Sequence, residues 1–237
     1  MKTTSKTLLS VLVTGLFSSG FMCQQSQATT ITPGFTYAVA SAGDYGTTGT
    51  HYHSNTGGAF GNPAGKAEVG NFFTENVRGL SEYNLAGLLT GPAFVTFDVF
   101  KAGGLFAGAN DTPFTGTIDV YAYQGNNLED ISDFQAAPTT FVGSFSTAGL
   151  VVGQVISMDI SSQFASALTS AWGSLGIRLQ VDTGSPAGNV GSSSAWTFDT
   201  FRLSSTSEST VPDAGSTVAL LGITLSALGL IRRRLVS

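Results

Sequence analysis

In the segments of this chain that are rich in apolar residues, apolar and polar positions alternate with a period of two. In Leu175–Asp182 the odd positions are apolar and the even positions are small, polar or charged, which predicts a half-buried strand. Further strands are predicted at Phe35–Ser41, Ala93–Lys101, Thr117–Tyr123, Thr140–Ser146, Gln154–Ile160 and Ala195–Leu203. Gly-, Pro- or Asn-containing turns separate most of them. We therefore predict an all-β fold, an antiparallel β-sandwich of the jelly-roll kind.

One segment has a helical period instead. Phe164, Leu168 and Trp172 are spaced by four within and just after Ser161–Ala171, which is typical of a short amphipathic helix. Asp159 lies near its start, where an acid can accept hydrogen bonds from unpaired N–H groups. With this helix, residues 80–203 resemble the jelly-roll sandwiches of secreted bacterial proteins, among them carbohydrate-binding-module-like domains.

The beginning of the chain predicts export. Two lysines precede the apolar stretch Leu8–Met22, and small residues follow at Ser26 and Ala28. This order is that of a signal peptide, with signal peptidase cleaving between Ala28 and Thr29.

The single cysteine, Cys23, also permits a lipoprotein interpretation. The bulky Met22 before it fits lipid attachment poorly. If cleavage follows Ala28, the mature protein has no cysteine, which excludes disulfides, thiol catalysis and cysteine-based metal sites.

The end of the chain combines a polar motif, an apolar run and a basic cluster. Val211–Ile231 comprises 21 residues, about the length that crosses a bilayer, and positive flanking residues stay on the cytoplasmic side. The alternative, a helix packed into a soluble core, fits less well because only Thr224 and Ser226 interrupt the run Val218–Ile231. The motif and cluster residues are Val211, Pro212, Asp213, Gly215, Ser216, Thr217, Arg232, Arg233 and Arg234.

These residues resemble the PEP-CTERM class of bacterial sorting signals, in the variant that begins Val-Pro-Asp. The resemblance implies transient insertion in the inner membrane, cleavage by exosortase, and delivery to the cell surface or the extracellular matrix of exopolysaccharide-producing bacteria. We divide the chain into a signal peptide (1–28), a sandwich domain (29–203), a Ser/Thr-rich spacer (204–210) and a sorting signal (211–237).

The net charge of the chain excludes some classes of binding partner. The whole chain has 10 basic and 15 acidic residues. Without the signal peptide and sorting signal, five bases and 14 acids remain, a net charge of −9. Nucleic acids require clustered Lys and Arg and are therefore poor partners. The 30 glycines, nearly twice the average share of about 7%, suit short strands joined by tight turns.

Few residues offer catalytic chemistry. His51 and His53 flank Tyr52 and, on a strand, would share a face and could supply two metal nitrogens. Their glycine-rich surroundings and the absence of an acid in the next ten residues favour a solvated loop pair. The chain has no nucleophile elbow, phosphate-binding loop or zinc-protease motif. A carboxylate pair is the remaining route to catalysis, and Asp98 and Asp119 lie on predicted strands where they could be neighbours.

Two ligand classes fit the composition better. Acidic, Asn-rich loops supply oxygen ligands for calcium, so a structural calcium ion is the one cofactor that we consider. The candidate calcium ligands are Asn110, Asp111, Asn127, Glu129 and Asp130. Tyr121 and Tyr123 lie on the polar face of a predicted strand, where they could stack on sugars or simply pack.

We therefore expect an exported, exosortase-processed protein with a structural or glycan-binding role in the envelope or exopolysaccharide, and no enzymatic activity. The alternative is a secreted polysaccharide hydrolase that is sorted by the same route.

Overall fold

The computed structural model describes residues 29–43, 46–54, 63–137, 139–182 and 193–208. These ranges contain eleven strands, one α-helix and one 3₁₀ helix. The strands are β1 (Thr30–Pro33), β2 (Phe35–Ser41), β3 (Gly49–Ser54), β4 (Ala67–Phe72), β5 (Glu75–Asn84), β6 (Phe94–Lys101), β7 (Thr117–Gly125), β8 (Thr139–Ser146), β9 (Val155–Asp159), β10 (Ser174–Val181) and β11 (Ser194–Ser204). The 3₁₀ helix Ile131–Gln135 follows β7, and α1 (Ser161–Thr169) follows β9.

The strands form two facing layers that are joined through β4. The first layer has the order β8-β7-β10-β5-β2-β3, and the second has the order β9-β6-β11 with β4 and β1 along the other edge of β11. Strand β4 also pairs with the beginning of β5, so the two layers share one nearly closed sheet. Every pair of named strands is antiparallel. The prediction of an all-β antiparallel fold is confirmed.

The main core lies between the two layers. Alternate residues of β7 and β10, including Ile118 and Ile177, face this core together with alternate residues of β6 and β11. Phe97 stacks on Phe201 with ring centroids 4.7 Å apart and meets Phe198 edge to face at 5.5 Å. Burial of each such side chain stabilises the fold by about 1.5–3 kcal/mol, so these rings hold the layers together.

A second, smaller core covers the other face of the first layer. The buried residues of this core are Tyr37, Val39, Leu80, Tyr123 and Phe134. The 3₁₀ helix packs over this face and buries Phe134 against it. Strand β10 is consequently buried on both faces over Ser174–Leu179, so the prediction that it is a half-buried strand is wrong.

All seven predicted strands and the predicted helix occur, with ends within two residues of those expected. The helical face is also as expected, because Phe164 is buried and Leu168 and Trp172 pack against the main core. The carboxylate of Asp159 accepts a hydrogen bond from Ser161 N at 2.8 Å. Hydrogen bonding from the side chain and the backbone of Ser161 lowers the pKa of Asp159. Four strands, β1, β3, β4 and β5, were not predicted.

The predicted signal peptide up to Ala28 and the predicted sorting signal from Val211 lie outside the described residues. Within the described ranges, no helix has the length and hydropathy needed to cross a membrane.

Candidate functional site

The two histidines lie on one face of β3 and converge on a single carboxylate. Glu75, the first residue of β5, places its Oε2 atom 3.4 Å from His51 Nε2 and 3.2 Å from His53 Nε2. The two imidazole rings have centroids 5.5 Å apart. The side chain of His51 is 41% exposed, whereas that of His53 is 2% exposed. The prediction of a solvated loop pair is therefore wrong.

A second carboxylate lies behind His53. Glu68 on β4 is fully buried, and its Oε2 atom is 3.5 Å from His53 Nδ1. The same carboxylate accepts hydrogen bonds from Leu105 N at 3.2 Å and from Asn110 Nδ2. The loop between β6 and β7 therefore holds Glu68 against the inner edge of the imidazole.

Aromatic rings enclose the buried histidine. Phe72 and Phe106 meet the His53 ring edge to face, with centroids at 5.2 and 4.9 Å. Rings in these positions exclude water from one side of His53 and restrict its rotation.

Part of this cluster was visible in the sequence and part was not. The alternation His51-Tyr52-His53 has the period of a strand, and Tyr52 does face the opposite side, where it packs against the smaller core. The acids Glu68 and Glu75 lie 15 and 22 residues after His53, and they reach it because β4 and β5 fold back as a hairpin. Both acids lie beyond the ten residues after His53, so proximity in the sequence does not identify them as its partners.

The first pair of predicted calcium ligands is engaged with the protein. Asn110 is fully buried, and its Oδ1 atom accepts a hydrogen bond from Phe106 N at 3.1 Å. Asp111 accepts hydrogen bonds from Lys101 Nζ at 2.7 Å and from Gly108 N at 2.6 Å, and these contacts lower the pKa of Asp111. Both side chains thus brace the loop between β6 and β7.

The second group of predicted calcium ligands stabilises the segment after β7. Asn127 donates from its backbone N to Glu82 at 2.7 Å and from Nδ2 to Gly173 O at 3.0 Å. The carbonyl of Glu129 accepts a hydrogen bond from Tyr52 at 2.7 Å, and Asp130 caps the 3₁₀ helix.

Among the described residues, one group of three His, Cys, Asp or Glu side chains has its ligand atoms within 4.8 Å of one another, namely His51, His53 and Glu75. The acidic calcium candidates Asp111, Glu129 and Asp130 do not belong to this group, and calcium binding stays a prediction.

The two predicted sugar-stacking tyrosines have different environments. Tyr123 is fully buried beneath the 3₁₀ helix, so its ring is not available to a ligand. Burial also raises the pKa of Tyr123 well above its ordinary value. Tyr121 is half-buried, and its ring meets that of Phe141 edge to face with centroids 5.4 Å apart. Phe141 on β8 is 53% exposed.

Asp98 and Asp119, the two acids predicted as possible neighbours, are separated. Asp98 lies on β6 in the second layer and contacts Arg202 at 3.4 Å, whereas Asp119 lies on β7 in the first layer. The expectation that they could be neighbours is wrong. Burial raises the pKa of Asp119, and the nearby Asp182 raises it further.

The architecture is that of an antiparallel β domain with one surface cluster of histidines and carboxylates. Residues 210–235, which follow the domain, match the VPDSG-CTERM motif, a PEP-CTERM-type exosortase sorting signal. The predicted sorting signal is therefore confirmed, and it supports an exported protein that is anchored in the membrane during exosortase processing and then placed at the surface or secreted. No curated protein matches the chain.

Proposed function

We propose that the β domain is a non-catalytic glycan-binding module that the sorting signal delivers to the cell surface or into an exopolysaccharide matrix. The contact face is formed by β7 and β8, with Tyr121 and Phe141 at its centre. The half-exposed Phe141 ring, held edge to face against Tyr121, is the observation that carries this proposal.

The face suits a sugar because it combines apolar rings with hydroxyl groups. Aromatic rings offer an apolar surface to the C–H groups of a pyranose and cost little conformational entropy on binding. The register of β7 and β8 places Thr139 and Ser144 on the same side as Tyr121 and Phe141. Both of these hydroxyl-bearing residues are exposed.

Charged groups lie next to the rings. Asp119 Oδ2 accepts a hydrogen bond from the Tyr121 hydroxyl at 3.4 Å, and the Arg178 guanidinium lies 5.9 Å from the Tyr121 ring centroid. A carboxylate beside an aromatic ring can accept hydrogen bonds from sugar hydroxyls, while the ring covers the apolar face of the sugar. This combination supports binding without requiring a reaction.

One observation supports the alternative hydrolase function. Asp119 and Asp182 interact on this same face, and the raised pKa of Asp119 is a property expected of a general acid. Glycosidases use such a pair of carboxylates on either side of the scissile bond.

The test is a polysaccharide pull-down and glycan array with residues 29–210, after circular dichroism has verified folding, with and without calcium. Phe141→Ala should weaken retention at least about tenfold, whereas Phe73→Ala, which removes a comparably exposed ring on the β4–β5 turn (57% exposed), should not. Equal retention by both variants would contradict the proposed face. Release of sugar by the unchanged domain, lost in Asp119→Asn, would contradict the binding proposal and support the hydrolase function instead.

A further inference from the structure

We infer that His51, His53 and Glu75 form a binding site for a divalent transition metal, with Zn²⁺ as the preferred ion, and that Glu68 positions His53 for it. This inference is independent of the proposed glycan face, from which β3 is separated in the sheet by β10, β5 and β2.

The two distances from Glu75 to the histidine nitrogens match the ligand spacing around a tetrahedral ion. Two ligands that each lie about 2.0–2.1 Å from zinc at the tetrahedral angle are about 3.3–3.4 Å apart. Glu75 Oε2 is 3.4 Å from His51 Nε2 and 3.2 Å from His53 Nε2. All three ligand atoms lie within 4.8 Å of one another, so side-chain rotations can bring them onto one ion.

The donor set selects the class of metal. Two imidazole nitrogens and one carboxylate oxygen suit zinc and its neighbours in the transition series, whereas calcium and magnesium prefer oxygen ligands alone. His51 and Glu75 are partly exposed, with side-chain exposures of 41% and 25%. An ion can therefore enter from solvent, and a water molecule can complete its coordination.

Glu68 occupies the position of an orienting carboxylate. In zinc sites, the histidine nitrogen that does not bind the metal commonly donates to a carboxylate, which fixes the tautomer and strengthens the other nitrogen as a ligand. Glu68 Oε2 lies 3.5 Å from His53 Nδ1, on the side of the ring opposite to Nε2 and Glu75. The rings of Phe72 and Phe106 hold His53 in this orientation.

The charges of the site also favour a cation. Within the described ranges, the buried carboxylate of Glu68 is held by Asn110, Leu105 and His53, none of which carries a permanent positive charge. Burial of a carboxylate is costly unless a positive charge lies nearby. An ion between the histidines and Glu75 supplies two positive charges to a site with two carboxylates.

The site joins two parts of the fold. His51 and His53 belong to β3, whose strand pairing among the described residues is with β2, whereas Glu75 begins β5 at the β4–β5 turn. A bound ion links this edge strand to the hairpin, which stabilises an edge that backbone hydrogen bonds hold from one side.

The test is a zinc titration of the full-length chain, purified in detergent without a polyhistidine tag. A Cys23→Ser background removes the only thiol, and His51 and His53 are the only histidines of the chain. We expect one Zn²⁺ per chain, and X-ray absorption should show two imidazole nitrogens at about 2.0–2.1 Å from the metal. Calcium at the same concentration should not compete.

Four variants distinguish the ligands from the positioning residue. His51→Ala, His53→Ala and Glu75→Gln should each weaken zinc binding more than about 100-fold, and Glu68→Gln should weaken it by about 10- to 100-fold. Asp98→Asn, on β6 and outside both proposed sites, should bind zinc as the unchanged chain does. If His53→Ala does not fold, the variants His51→Ala and Glu75→Gln still test the inference, because both side chains are partly exposed. An absence of stoichiometric zinc binding by the unchanged chain would overturn the inference. Zinc binding by His51→Ala and Glu75→Gln as tight as that of the unchanged chain would also overturn it and leave an ordinary ion-pair cluster.

Discussion

The carboxylate of Glu82 accepts a hydrogen bond from the hydroxyl of Tyr123 at 3.2 Å, and both residues are fully buried. The same carboxylate accepts hydrogen bonds from Asn126 N at 3.0 Å, Asn127 N at 2.7 Å and Ser174 Oγ at 2.9 Å. Glu82 therefore connects β5 to β7, to β10 and to the segment that carries the 3₁₀ helix. This one carboxylate therefore joins the strands on which the smaller core lies to the segment that covers it.

Replacing Glu82 with glutamine should lower the free energy of unfolding by about 2 kcal/mol. The amide provides one acceptor atom where the carboxylate has two, and hydrogen bonds to a charged group contribute about 1.5–3 kcal/mol each. Tyr123→Phe removes one donor and should cost about 1 kcal/mol. Urea unfolding followed by tryptophan fluorescence gives both values. A Glu82→Gln variant as stable as the unchanged chain would show that the carboxylate contributes little.

Replacing Gly176 with alanine should destabilise the domain by about 1–3 kcal/mol. A Cβ atom at this position would lie 2.1 Å from Cζ of the buried Tyr123 ring. The ring cannot move without disturbing its hydrogen bond to Glu82. Gly91→Ala is the control, because a Cβ atom there meets no atom within 4 Å. Comparable unfolding midpoints for the two variants would contradict the packing described for Tyr123.

The stability of the domain should fall between pH 4 and pH 6 because of Asp133. Burial raises the pKa of Asp133 from 3.8 to about 6, so the folded state holds a proton that the unfolded chain releases. The resulting stabilisation is fully present below about pH 4 and is lost as the pH rises through about 6, with a maximum of about 3 kcal/mol. Urea unfolding at half-unit pH intervals measures this slope, and Asp133→Asn should flatten it.

Asp159 provides a control of opposite sign. Its lowered pKa, caused by the hydrogen bonds from Ser161, gives stability that is present at neutral pH and lost on acidification. Asp159→Asn should therefore leave the fall between pH 4 and pH 6 unchanged. A slope that persists in Asp133→Asn would assign the effect to another group.

The sequence pattern predicted the strands that have one apolar and one polar face. It did not predict β4 and β5, which carry polar or charged residues at buried positions. β4 carries Glu68 and Asn71 at buried positions, and β5 carries Arg78 and Glu82, so their charged residues indicate solvent although the strands are covered. Burial lowers the pKa of Arg78 to about 10, and its guanidinium lies 4.0 Å from the Phe134 ring centroid. Groups distant in sequence provide the hydrogen bonds of these charged side chains, and period-two patterns do not reveal distant partners.

The candidate sites likewise differ in how far the sequence predicts them. The sorting motif could be predicted because its residues are contiguous, so their order alone identifies it. The cluster of His51, His53 and Glu75 is assembled by the pairing of β2 with β3 and of β4 with β5, and pairing depends on the whole fold. Tyr121 and Tyr123 alternate as expected, but the 3₁₀ helix that buries Tyr123 was not predicted.

Deleting Val211–Ser237 should leave the domain folded and release it into the periplasm or the medium. The described strands and both cores lie within residues 29–208, so the deletion leaves every contact among these described residues in place. In the unchanged strain, mass spectrometry of surface material should detect a chain that begins at Thr29 and lacks Arg232–Arg234, because exosortase recognises the motif matched at residues 210–235. Recovery of the arginine cluster from surface material would indicate a permanent anchor, since cleavage would then not have occurred. An insoluble, unfolded truncated chain would instead place the tail in the core of the domain.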